Sequence, residues 1–153
     1  MGTTGTVVGR IRNGVIAWLE RVFFGGAELS VLSTPAFVAV LLVQGRYPDA
    51  IPIAGLFAIA TGSVGLALFR SGVVDVGGWP RRSELVTLPL RSAYFSLVFL
   101  AAAAGVGIVA VEVVGSLWVA PLGGAVQAAG LAAFPTVYHR VHGEPVQRPA
   151  VEP

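Results

Sequence analysis

Four long, uncharged and strongly apolar stretches lie between Glu28 and Arg46, Asp49 and Arg70, Arg91 and Glu112, and Glu112 and Arg140. A hydrocarbon core about 30 Å thick is crossed by roughly 20 apolar helical residues. Residues 29–45, 50–69, 92–111 and 116–138 reach that length, the first narrowly. Within lipid every backbone polar group must be satisfied inside its own segment, so such stretches are read as helices. The expected fold is an all-α integral membrane protein. It comprises a four-transmembrane-helix bundle of two antiparallel hairpins, preceded by an N-terminal amphipathic interfacial helix.

Composition excludes the soluble alternative. Hydrophobic residues make up 55% of the 153-residue chain and charged residues 12%, against about 25% charged in ordinary soluble domains. A soluble fold of this size could not cover its surface with so few charges. The chain has no cysteine, which removes disulfides, thiolate metal sites and palmitoyl anchors. It has no lysine either, so every basic side chain except the two histidines is an arginine.

Those arginines are distributed unevenly. Arg10, Arg12 and Arg21 precede the first stretch; Arg70, Arg81, Arg82 and Arg91 lie between the second and third; Arg140 and Arg148 follow the fourth. Only Arg46 falls on the other side. The positive-inside bias therefore predicts a multi-pass plasma-membrane protein with both termini cytoplasmic. The same arginines read as juxtamembrane contacts to lipid, and no clustered basic face with interleaved aromatics marks nucleic acid as a partner.

Residues 1–27 form the first unit. Val8, Ile11, Val15, Trp18 and Val22 recur at helical spacing, predicting a helix in the membrane interface that Gly25–Gly26 ends. A helix continuing past those glycines would bury Glu28. Residues 28–141 form the bundle, and residues 142–153, with three prolines after Gly143, are expected to be a disordered tail. No signal peptide is read at the N-terminus. Ser33-Thr34-Pro35 predicts a kink whose freed backbone groups are met by hydroxyls or a neighbouring helix. In the 70–91 loop, Trp79, Arg81 and Arg82 are expected to contact lipid headgroups.

The clearest packing pattern is a row of small residues four apart: Ser116, Ala120, Gly124, Ala128, Ala132 and Thr136, with Ala125, Ala129 and Ala133 alongside. Apolar burial cannot drive helix association in lipid, whereas small-residue faces permit close backbone approach. Glu112 and Gln127 form a speculative polar site: Glu112 is expected at the external end of the third span, and Gln127 in mid-span as interhelical glue. His139 and His142 have the spacing of a metal-ligand pair but lack visible further ligands. No catalytic, cofactor-binding or metal-binding residues are assigned.

These features favour a small membrane protein with no enzymatic role, an accessory or assembly subunit. Its expected partners are the lipid bilayer and either another protein or further copies of itself, joined through membrane helices. A homo-oligomeric transporter or channel is the alternative. A lipid-acting interfacial enzyme using Asp75, Glu84, His139 or His142 ranks lower.

Overall fold

The computed structural model describes residues 3–143 and is all-helical over them. The expected disordered tail lies almost wholly outside the described residues. Helices α1 (Thr3–Leu32), α2 (Thr34–Val43), α3 (Ala50–Ser71), α4 (Leu88–Leu100), α5 (Val106–Val109) and α6 (Leu122–His142) follow in order. The π-helical turn Ala101–Gly105 joins α4 to α5, and a second, Ala110–Val114, extends α5, so that they run as one long helix. Three segments are each long and apolar enough to cross a membrane: Ala50–Ser71, Leu85–Val114 and Leu117–His142. The fourth candidate is the broken pair α1–α2, bent by 67°.

The break falls about two turns later than the glycines predict. α1 runs unbroken through Gly25 and Gly26. These glycines instead let α1 lie directly on α3: a Cβ at Gly25 would stand 2.7 Å from the Ser63 carbonyl oxygen, and one at Gly26 would stand 2.9 Å from Ser63 Oγ. The bend is at Ser33, where Pro35 lacks the N–H that a continuous helix needs. The exposed carbonyls find other donors. Thr34 Oγ1 donates to the Ser30 and Val31 carbonyls at 3.1 and 2.9 Å. From α4, Ser92 Oγ and Ser96 Oγ both donate to the Leu32 carbonyl, at 3.0 and 3.3 Å.

Most of α1 projects beyond the bundle. Val7, Val8, Ile11, Val15, Ile16 and Leu19 are exposed, and burial begins near Gly25. α3 is the central helix, packed by α1 on one side and α6 on another. Its first turn carries Pro52, where a missing N–H costs nothing. Gly72, at φ +73°, ends it in the left-handed conformation that a side chain would resist.

The core has two halves. One gathers Ala36, Val40, Tyr47, Ile51, Ala58, Phe99, Ala102 and Ala103 beneath the 44–49 turn. The other gathers Leu29, Leu32, Leu66, Phe95, Leu131 and Phe134, with Phe69, Trp79 and Tyr94 against them, beneath the 72–87 loop.

Candidate functional site

A charged centre closes the aromatic half. Glu28 reaches it from α1, Arg70 from the last turn of α3, Arg91 from the first turn of α4, and Arg82 from the loop between them. The Glu28 side chain is 6% exposed and Arg91 only 2%, so both charges are almost fully removed from solvent. Glu28 Oε1 accepts from Nη2 of both Arg70 and Arg91, and Oε2 accepts from Arg82 Nε at 3.0 Å. Unpaired, a buried carboxylate would cost several kcal/mol; four elements are therefore tied to one side chain.

Backbone carbonyls hold the guanidinium groups from behind. Arg70 Nη1 donates to the Pro80 carbonyl at 3.0 Å, and Arg91 Nη1 donates to those of Arg81 and Arg82 at 3.4 and 3.2 Å. The 72–87 loop is thus drawn down over the bundle end. Trp79 follows it inward: its ring centroid lies 5.2 Å from Phe134 and 6.3 Å from Phe69, with the Arg70 guanidinium 5.2 Å above it. Trp79, expected at the headgroups, is half-buried and turns its ring onto the aromatic pocket and the Arg70 cation. Arg81 and Arg82 do stay exposed, although Arg82 is committed at one nitrogen to Glu28. Between α1, the end of α3 and the loop remains a cavity of about 270 Å³, lined by Arg21, Ala67, Arg70, Ser71 and Arg82.

The speculative pair Glu112 and Gln127 is not drawn into one contact. Glu112 is exposed at the opposite end, accepting a 2.7 Å hydrogen bond from the Tyr47 hydroxyl, with Arg46 4.0 Å away. That hydrogen bond holds the Tyr47 hydroxyl pKa above its ordinary value. Gln127 lies fully buried between α3 and α6, with neither amide atom given a partner. Its Cγ would be 3.0 Å from a Cβ at Gly62.

The row of small residues splits along its length. Ala120 and Gly124 are buried, Ser116, Ala128 and Ala132 half-buried, and Thr136 exposed. The face of α6 that packs against its neighbours carries Gly123, Gly124, Gln127, Leu131 and Phe134. A Cβ at Gly123 would stand 2.6 Å from the Ala54 and Ala102 carbonyl oxygens, and one at Gly124 would collide with Thr61 Oγ1. The neighbouring Ala125, Ala129 and Ala133 all face outward.

His139 borders a separate cleft of about 530 Å³ with Trp79, Arg81, Glu84 and Tyr138, while His142 stacks on Tyr138 at 4.9 Å. Among the described residues no three His, Asp or Glu side chains converge on a metal position.

Sequence reasoning treated Glu28, Arg70 and Arg91 as span boundaries and missed their convergence. The available signal was an acid bordering the first apolar stretch, at the end where the arginines cluster.

Comparison with known families now bears on this arrangement. Residues 12–141 match a family described as a domain of unknown function, DUF8215. The chain belongs to that family. Its matched region takes in α1 from Arg12 onward, the whole bundle and all four members of the charged centre. No curated protein and no solved structure matches the chain.

Proposed function

We propose that this chain is a multi-pass plasma-membrane protein with both termini in the cytoplasm, serving as a non-enzymatic accessory or assembly subunit. The observation that carries this reading is the division of labour on α6. One small-residue face is consumed against α3, while Ala125, Ala129 and Ala133 form a second face that stays exposed. In lipid such a face is what a further helix can approach closely. The four-span topology belongs to the same proposal, with the bent α1–α2 pair as the first span and the exposed apolar part of α1 lying in the interface.

The test is purification from the native membrane in mild detergent, with mass and co-purifying chains read by mass spectrometry. A stoichiometric second protein that is lost in Ala129→Leu, with unchanged thermal stability, supports the subunit reading. A monomer without partners overturns it. A homo-oligomer transfers the weight to transport, for which the unpartnered Gln127 amide would be the first residue to probe. One observation favours an interfacial enzyme instead: Glu84 and His139, far apart in sequence, border the same cleft.

A further inference from the structure

We infer that the arginine-lined cavity beside Glu28 binds a phosphate group, supplied by an anionic phospholipid headgroup or by a soluble phosphate ester. The charge balance of the centre points there. Among the described residues, one carboxylate faces the three guanidinium groups of Arg70, Arg82 and Arg91. Two positive charges are left over, and Arg21 adds another at the cavity wall. Arg70 and Arg91, 14% and 2% exposed, repel one another with little screening by water, and an anion beside them relieves this.

Donors are available for that anion. Arg82 gives Glu28 only its Nε, leaving its terminal nitrogens without a bond among the described residues. Arg70 lines the cavity wall with its side chain 14% exposed, and its Nε has no protein partner. Arg21 forms no ion pair among the described residues. Arginine forks match phosphate oxygens in a bidentate manner. The surroundings suit a lipid source: Phe23 and Phe24 are exposed on the same stretch of α1, and Arg82 lies 5.7 Å over the Phe24 ring. An acyl chain could lie along those rings while its phosphate enters the cavity. The inference stands independently of the subunit reading, because it concerns only this chain and its ligand.

The experiment is thermal unfolding of the full chain in neutral detergent, titrated with phosphatidylglycerol, phosphatidylcholine or inorganic phosphate. Phosphatidylglycerol is expected to raise the melting temperature and phosphatidylcholine to leave it unchanged. Arg21→Gln should weaken the phosphatidylglycerol response about fivefold in concentration, the equivalent of about 1 kcal/mol for one arginine. Arg12→Gln removes the same charge from α1 outside the cavity and should leave the response intact. Stabilisation by inorganic phosphate, lost in the same Arg21 variant, supports the site and assigns it to a soluble phosphate. Equal losses in the Arg12 and Arg21 variants would mean diffuse charge and overturn it. So would the absence of any response to either phosphate source.

Discussion

The two halves of this bundle are held together by different means. Beneath the 44–49 turn half of the core cluster is alanine, and backbones meet almost directly: a Cβ at Gly107 would lie 2.9 Å from Ile51 Cα. Beneath the 72–87 loop the core is large and aromatic, and a buried carboxylate gathers the helix ends. Each half also carries one notable acid, Glu28 or Glu112. The first is enclosed among three arginines; the second is half exposed, with a tyrosine and a distant arginine. The same functional group is thus a structural keystone in one place and a surface tie in the other, and burial accounts for the difference.

The largest expected effect comes from removing that keystone. Glu28→Gln leaves the buried Arg91 and Arg70 without a counter-charge and should cost about 3–5 kcal/mol, read by thermal or denaturant unfolding in detergent. A loss no greater than that of Glu112→Gln would erase the contrast between the halves.

Close backbone approach comes next. Gly107→Ala and Gly123→Ala force a methyl into contact with Ile51 or with the Ala54 and Ala102 carbonyls. Each should cost about 1–3 kcal/mol. Gly45→Ala, which meets nothing within 4 Å, serves as the control and should leave unfolding unchanged.

Gln127, near the junction of the halves, should move the other way. Gln127→Leu replaces an amide with no partner by an apolar side chain of similar size, and should return about 1–3 kcal/mol. Lower stability in that variant would mean the amide has a ligand.

The smallest effect belongs to the exposed tie. Glu112→Gln should barely shift the melting temperature. Because the Tyr47 pKa is raised in the folded state, its hydroxyl contributes fully below the ordinary tyrosine value of about 10. That contribution is lost only as pH climbs through the raised value. Tyr47→Phe should therefore flatten whatever alkaline dependence the wild type displays.

Much of the scaffold was legible in the residues. Apolar length picked out the helices, and Ser33-Thr34-Pro35 marked the bend and even the class of donors that mend it. Other features depended on distant partners. Gly25–Gly26 read as a break because a lone helix is weakened by glycine. The closeness of Ser63, 37 or more residues away in sequence, turns them into a contact surface. Glu28 looked unsuitable for burial because Arg70 and Arg91 stand 42 and 63 residues further on.

The six-member row does not keep to one face, for a geometric reason. A helix turns 3.6 residues at a time, so a strict four-residue repeat drifts about 40° per step, about 120° over the three steps from Gly124 to Thr136 within α6. Gly124 faces inward and Thr136 faces out, as that drift requires. A pattern mixing threes and fours, from Gly123 through Gln127 to Phe134, stays on the packed face instead.

The Glu28 centre also dictates an order of events during synthesis. On the membrane reading proposed above, α1 leaves the ribosome carrying an acid with no partner, and burying an unpaired carboxylate costs several kcal/mol. Arg70 and then Arg91 must follow before that cost is cancelled. The first apolar segment to be made therefore reaches its final packing only once α4 has followed it.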